Sequence, residues 1–553
     1  MAGINLWYYL FYLFGIMDCD KENVVLFGAS GTMGFEAFKE LWSRKEDYKI
    51  VILVRPSQKN KQLFKPFEKE AGLSSISGKG IVENDDVKIV WGDATIYEDV
   101  LSAVNGADWV LDAMACISPF ADYYPEIAEK VNVDGIRHIV RAIESQPDGA
   151  EHIKLVYTGT VAETGDRLGT IHYGRVGDPL KPSIFDSYAI TKIAGERIVL
   201  ESRITHWVSL RLTYIMPTDY QDFMSLVDPI MFHQPINSFM ENITSRDAGF
   251  GLVNCLRIGD ESDFWRRVYN MGGGERMRCT AFEFMNMVYQ LLGLSGIEAC
   301  AERKWFALRN FHMQYFEDSH MLNEYLNFWR DSLTNWKQAL YKNLPVSLKI
   351  AAFLSKKIPF FRKKIEQMTY DILSNLANNH KNGTMYWYHH QNHQRISAFY
   401  KSIDVLESIP DWGVDMPQLH PEPSWKRLNH GYDEQKEELD LTDLKKAAAF
   451  RGGICVSKKW NGDLYEEIRW KCAQNHEFTA KPYTVLKAGH WCPTCAPPPW
   501  DYDREAKRNP FFAQVWYLNH DKDESNFYPA DCIKDIAHAD KDEAAQKKGL
   551  IGF

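Results

Sequence analysis

The chain has no apolar run long enough to cross a bilayer, which takes about 20 residues. The longest candidate, Leu6 to Met17 (LWYYLFYLFGIM), falls well short of that length. It also lacks the basic leader and small-residue cleavage site of a secretory signal. We expect it to be an extension upstream of a chain that effectively begins at Met17, the alternative being a shallow membrane or partner-binding anchor. There is no surplus of positive charge. The 64 basic and 74 acidic residues leave a net charge of −10, which speaks against a dedicated nucleic-acid binder. Nor is there a disulfide framework: Cys19, Cys116, Cys255, Cys279, Cys300 and Cys532 stand singly, while Cys455, Cys472, Cys492 and Cys495 cluster near the end. That usage fits a reducing, cytoplasmic setting with one metal site.

What is present is an ordinary globular composition, 45% hydrophobic and 25% charged. It excludes a mostly disordered chain, a collagen-like fibre and a polytopic membrane protein. At roughly 150 residues per domain, 553 residues imply three or four units. Val24 to Phe27 is a short β-prone run that ends in Gly28-Ala29-Ser30-Gly31-Thr32-Met33-Gly34, and a helix-like segment, FEAFKELWSR, follows. Strand, glycine-rich turn and helix in that order present a helix N-terminus to a pyrophosphate. Gly28, Ser30, Gly31, Thr32, Met33 and Gly34 are therefore the expected phosphate-binding turn. The next strand, KIVILV, ends in Arg55 where an NAD-preferring site carries an acid, with Ser57, Lys59 and Lys61 close by. Arginine there accommodates a 2′-phosphate, so NADP(H) is expected over NAD(H). Further strands end at Asp93, placed to reach the adenine edge or to cap the next helix, and near Ala113 to Ala115. Apolar strands alternating with amphipathic helices specify a Rossmann-type, doubly wound parallel α/β sheet.

The strand IKLVYTGT supplies Thr158 and Thr160, and the later SYAITKIAGE places Tyr188 and Lys192 on one helix face. A lysine ammonium beside a phenol lowers its pKa, which would let the tyrosine act as acid or base nearer neutral pH. Among 27 tyrosines a bare Tyr-x-x-x-Lys arises by chance, so the pair draws its meaning from following the glycine turn and the Thr strand.

With GASGTMG, Asp93, Val131-Asn132-Val133-Asp134-Gly135, TGT, SYAITKIAGE, LRLTYIMP, ITSRDAGFGLV and VYNMGGGE in sequence, residues 22 to about 340 resemble the extended short-chain dehydrogenase/reductase family. That family includes nucleotide-sugar epimerases and 3β-hydroxysteroid dehydrogenases. The resemblance implies Tyr188 as catalytic acid/base and Lys192 as the ribose holder that tunes it. It implies Thr160 in place of the usual serine, Thr158 near the nicotinamide, and Asn132 as a support beneath the site. Arg55 departs from the sugar-epimerase pattern, as does Asp112 where that family often has His; an NADP-type site argues for net oxidation or reduction.

Between Arg211 and Arg246 there is no Lys or Arg, and the stretch is rich in Met, Phe and Tyr. A diphosphate would call for Arg forks, so a bulky apolar alcohol or ketone, foremost a 3β-hydroxysteroid, is the leading expectation and a nucleotide sugar the alternative. A non-catalytic cofactor-sensing scaffold is the third reading, disfavoured by the intact Thr-Tyr-Lys set. Lys342 to Lys364 carries seven basic and no acidic residues among LKIAAFL and IPFF, which suits either a solvated helix face or peripheral contact with an anionic membrane. His380, His389, His390 and His393 lack a completing carboxylate or thiolate and read as surface or packing residues. Near the end, Trp470-Lys471-Cys472-x3-His476 and Cys492-Pro493-Thr494-Cys495 resemble a treble-clef or zinc-ribbon module. Three thiolates and one imidazole suit tetrahedral structural zinc, with Cys455 as the alternative to His476. The expected units are an extension (1–17), the enzyme lobe (18–340), a mostly helical connector (341–450) and the zinc-bearing end (451–553). The last is expected to dock on the lobe or support a homodimer rather than bind nucleic acid.

Overall fold

Val24 to Phe27 are all buried although successive side chains point to opposite faces, so this strand must lie inside a sheet covered on both sides. The computed structural model, which describes residues 21–169, 171–224, 227–413 and 422–539, shows that sheet. The Leu6–Met17 run lies outside the described residues. Eight strands take part: β1 (Glu22–Phe27), β2 (Tyr48–Val54), β3 (Gly80–Glu83), β4 (Val87–Trp91), β5 (Trp109–Asp112), β6 (Lys154–Thr160), β7 (Trp207–Leu212) and β8 (Arg267–Met271). Their order is β8-β7-β6-β5-β1-β2-β4-β3, and every neighbouring pair is parallel except β3 with β4. The fold is a Rossmann-type doubly wound α/β sheet. The chain leaves β1 toward β2 on one side and later returns to β5 on the other. This reversal opens a crevice at the carboxyl ends of β1 and β5.

Two cores cover the faces. Val24, Leu26 and Ile52 pack against Ala37, Phe38 and Leu41 of helix α1 (Thr32–Trp42). Val25, Phe27 and Leu53 pack on the other side against Val100, Ile139 and Ile143. A third core is rich in aromatics, among them Phe232, Trp305, Trp387, Phe399, Trp500 and Trp516. It joins the segment after the Tyr helix to the helical connector and to the stretch following the Cys cluster. Phe232, Phe239, Met216 and Met240, expected to line an apolar substrate site, are instead fully committed to core packing.

The C-terminal module is a three-stranded antiparallel sheet of Ile454–Cys455, Ile468–Lys471 and Glu477–Ala480. It covers the free edge of β8, where the Tyr483 hydroxyl accepts the Val268 backbone N–H at 2.9 Å. It also grips helix α3 (Ser187–Leu200), whose C-terminal Leu200 carbonyl accepts from Lys481 Nζ at 3.0 Å. Arg197 on the same helix donates to the Trp491 carbonyl at 2.9 Å.

Beneath these contacts lies a buried charge cluster. Arg211 on β7 meets Glu196 of α3 at 2.5 Å and Glu163 at 3.3 Å, and donates to the Ala488 carbonyl at 2.8 Å. Glu196 also accepts from Ser209 Oγ at 2.6 Å and contacts His490 Nε2 at 2.8 Å. Burial pushes Glu196 up, but Arg211 and His490 more than offset it and hold this carboxylate well below its ordinary range. Burial and then Glu196 push Glu163 the other way, well above it. Removing one partner of a fully buried pair leaves an uncompensated charge and costs on the order of 3–5 kcal/mol. Arg211→Met is therefore expected to lower the unfolding free energy in urea by about that amount; a loss under about 1 kcal/mol, the scale of an exposed pair, would contradict this reading.

Candidate functional site

The glycine turn sits where the crevice opens. Gly28 has φ +79°, and a Cβ there would lie 2.6 Å from the Ala113 carbonyl, so both backbone conformation and the approach to β5 require glycine. A Cβ on Gly34 would lie 2.0 Å from the Gly28 carbonyl oxygen, which fixes α1 against the turn. Gly31 differs: it is exposed, and a Cβ would meet nothing nearer than 3.4 Å. It precedes α1 without any side-chain cap, so the first amides of that helix remain available to an anion. Ser30 and Thr32 flank it half-buried, while Met33 is buried in the core and serves packing. These residues fit a dinucleotide pyrophosphate.

Arg55 is exposed at the carboxyl tip of β2, and among the described residues it pairs with no carboxylate. Ser57 caps helix α2 (Gln58–Glu70) through the Asn60 N–H, and Lys61 folds over the Trp91 ring at 3.5 Å. Asp93 is turned to local use: its carboxylate accepts from the Thr95 N–H at 2.9 Å and the Thr95 hydroxyl at 2.8 Å. It does not cap the next helix (Tyr97–Val104), whose N-cap is Ile96 with no side-chain bond; its carboxylate closes a local turn onto Thr95.

Tyr188, Thr160, Lys192 and Thr158 come together at the ends of β5 and β6. Tyr188 stands beside Thr160, whose own backbone N–H donates to Glu163 at 3.0 Å in a capping box. Thr158 Oγ1 donates to the Asp112 carbonyl at 2.9 Å. Asn132, in a π-helical turn (Lys130–Asp134), accepts from the Cys116 N–H at 2.7 Å. It donates to the Cys116 carbonyl at 2.9 Å and to Thr191 Oγ1 at 3.0 Å. It therefore ties the loop after β5 to α3 midway between Tyr188 and Lys192, a positioning role. Gly195 permits this closeness, since a Cβ there would be 2.6 Å from the Asn132 carbonyl oxygen.

One expectation fails here. Lys192 does not lower the Tyr188 phenol; burial raises it, with Thr160 opposing and Glu163 adding to the rise. Helical spacing puts both residues on one face, but Lys192 Nζ lies 4.2 Å from the centre of the Tyr157 ring and is paired electrostatically with Asp112. Burial lifts Asp112 to about 6, with Lys192 pulling against the rise.

A pocket opens beside the N-terminus of α3. It is lined by Ser118 and Asp122 from the loop after β5, Asp186 before the helix, and His233, His312 and Arg395. Asp122 accepts the Ser187 N–H at 3.1 Å, and His312 Nδ1 lies 3.4 Å from Asp186. Burial and then Asp186 lift Asp122 to about 8, so near neutral pH it is a protonated hydrogen-bond donor. The lining is mixed, since Ile184, Phe185, Ile230, Phe311 and Phe399 share it with these polar groups, so it does not form the purely apolar site expected from the sequence. That expectation rested on one segment, whereas the polar groups arrive from several segments distant in the chain.

In the C-terminal module, Cys472, His476, Cys492 and Cys495 offer ligand atoms that all lie within 4.8 Å of one another. Cys472 and Cys495 are 3.9 Å apart, His476 Nδ1 is 3.3 Å from Cys495 and 3.6 Å from Cys492. A tetrahedron with ~2.3 Å arms has edges of roughly 3.8 Å, so the donor set fits a tetrahedral ion. His476 completes this set; Cys455, buried opposite Trp470 in the strand pair, is not part of it. Glu163, Glu196 and His490 form a second close group, but the Arg211 guanidinium already supplies their cation. His380, His389, His390 and His393 form no such group among the described residues.

Residues 24–220 match the model of the NAD dependent epimerase/dehydratase family. No curated protein matches the chain. Solved structures similar to it include a dTDP-glucose 4,6-dehydratase from Bacillus anthracis in complex with NAD (15% identity, 58% of this chain and 96% of that one, TM-score 0.44). Another is UDP-glucose 4-epimerase from Thermotoga maritima (12% identity, 58% and 98%, TM-score 0.40). A third is the Bordetella bronchiseptica enzyme WbmG in complex with NAD and UDP (15% identity, 58% and 94%, TM-score 0.41).

The metal reading is checked by elemental analysis of the purified chain. Zinc is expected to co-purify with the wild type and to be lost from Cys492→Ser, together with a lower melting temperature, because a structural ion contributes folding energy. Equal zinc content in the two proteins would refute the assignment.

Proposed function

We propose that the chain is an NAD(P)(H)-dependent enzyme acting at a secondary alcohol or ketone of a polyhydroxylated, sugar-type substrate, of the epimerase/dehydratase kind. The observation that carries this reading is the set of parts the fold supplies: the glycine turn at β1 with its uncapped helix start, Thr160 beside Tyr188 at the end of β6, and Asp122, Asp186 and His312 at the N-terminus of α3. The family match over residues 24–220 supports it. It also favours the nucleotide-sugar alternative over the steroid reading, for which neither the pocket nor the match offers support.

When bound, the dinucleotide supplies a hydride acceptor or donor at the nicotinamide. The chain's own residues do the rest. The α1 amides hold the pyrophosphate, and Lys192 and Thr158 face the ribose and nicotinamide half. Thr160 orients the reacting oxygen and Tyr188 moves the proton at that oxygen. The raised phenol pKa suits Tyr188 to holding its proton until substrate and cofactor are in place. Asp122, protonated near neutrality, and Asp186 at the helix start are the carboxyl groups that would meet substrate hydroxyls. Arg55 supports NADP(H) over NAD(H), since an exposed arginine at the tip of the second strand, in place of an acid, suits a 2′-phosphate. The C-terminal module is read as a zinc-stapled cover over the β8 edge.

A panel of nucleotide sugars, sterols and flavonoids, followed by NADPH and NADH absorbance and by product analysis, tests this reading. Turnover is expected with a nucleotide sugar. It should fall by about 10²–10⁴-fold in Tyr188→Phe, and Arg55→Glu should shift preference toward the NAD(H) pair. Turnover of a sterol alone, or full activity in Tyr188→Phe, would overturn it.

A further inference from the structure

Helices α4 (Val346–Lys357) and α5 (Pro359–Asn379) form a hairpin that bends at Ile358. Only Ala352 and Ser355 of the first helix, and Glu366, Leu373 and Ala377 of the second, are buried. The outward surface is neither polar nor neutral. Val346, Ile350 and Phe353 follow one another at spacings of four and three on α4, which places them on one exposed face. Phe360, Met368 and Ile372 share a row on α5 with Lys364 between them. Phe360 is 80% exposed, Val346 71% and Phe353 59%. Of the nineteen exposed large hydrophobic residues, eight fall between Tyr341 and Ile372, so the apolar surface is concentrated here rather than scattered.

The same tip is strongly basic. Lys342, Lys349, Lys356, Lys357, Arg362, Lys363 and Lys364 lie on it, and no acidic residue occurs between Asp331 and Glu366. Glu366 itself is buried; its carboxylate accepts the Ser295 N–H at 2.8 Å and lies 3.9 Å from Arg362, so it offsets that one cation and leaves the six lysines of the patch unopposed by it. In a chain of net charge −10 this patch runs against the average. A second copy of the same face would bring six lysines against six, and like charges facing each other oppose association. A polyanion such as RNA would engage the lysines but leave Val346, Phe353 and Phe360 in water. A surface that is anionic outside and apolar just beneath satisfies both features.

We propose that this hairpin docks the protein on an anionic lipid bilayer, with Phe353, Phe360 and Ile350 at the acyl boundary and the lysines among the headgroups. Among the described residues no helix is long and apolar enough to cross a membrane, so the contact is one that lies on the surface. The proposal is independent of the reaction assigned above.

Co-sedimentation of the full chain with vesicles tests it, using phosphatidylcholine alone or with roughly one third phosphatidylserine. Binding to the anionic vesicles is expected, and at least about tenfold weaker binding to the neutral ones. Phe353→Ser with Phe360→Ser, and separately Lys356→Glu with Lys357→Glu, should each lose about tenfold or more. All four positions are exposed, so melting temperatures should not change. A chain that stays in the supernatant with anionic vesicles would overturn the proposal, as would either double variant binding like the wild type. A dimer in light scattering that dissociates on the Phe353→Ser, Phe360→Ser change would assign the face to a second copy and equally overturn it.

Discussion

The buried ion pair between Arg211 and Glu196 is the constraint on which the architecture turns. Glu196 lies one helical turn beyond Lys192 on α3, and Arg211 lies on β7 beneath it. Glu163, their third partner, receives the Thr160 backbone N–H. His490, their fourth, belongs to the C-terminal module two residues before Cys492. One cluster of charges therefore joins the reacting Thr-Tyr-Lys face, the central sheet and the Cys-rich end. Neither Arg211 nor Glu196 can be removed singly without leaving the other's charge uncompensated in a low-dielectric interior. The module is thus part of how the catalytic helix is seated, and not an appendage.

Around that anchor the sheet does what its topology requires. Parallel strands end together, and the reversal of strand order leaves a cleft at the ends of β1 and β5. Gly28 and Gly34 are needed for the turn to close onto β5 and α1, while Gly31 has room to spare. Asn132 and Gly195 then set the distance between the loop after β5 and α3, so that Tyr188 meets Thr160.

The parts that could be read from the chain alone are those built from neighbours in sequence. The glycine turn, the Thr strand and the Tyr-x-x-x-Lys helix each fit within a few residues, and the Cys472-x3-His476 and Cys492-x2-Cys495 knuckles needed only one long-range step. The pocket beside α3 was hidden because Asp122, Asp186, His312 and Arg395 are brought together from segments far apart. The aromatic stretch after α3 misled for a related reason. Phe232, Phe239 and Met240 are apolar whether they line a cavity or fill a core, and here they fill a core. Spacing of Tyr188 and Lys192 predicted a shared face, which is correct, but it could not show that Asp112 and the Tyr157 ring draw the lysine's charge away from the phenol.

The central claim is that a dinucleotide lies across the cleft at the glycine turn. It is tested most directly by titrating the chain with NADPH, following nucleotide fluorescence, beside a Gly31→Glu variant. Gly31 is exposed with an ordinary extended backbone, so glutamate there should leave the melting temperature unchanged while placing a negative side chain where the pyrophosphate belongs. The account predicts saturable binding by the wild type and at least about tenfold weaker binding by the variant, from charge repulsion at the helix N-terminus. Equal binding by the two proteins, or none by the wild type with either NADPH or NADH, would contradict it.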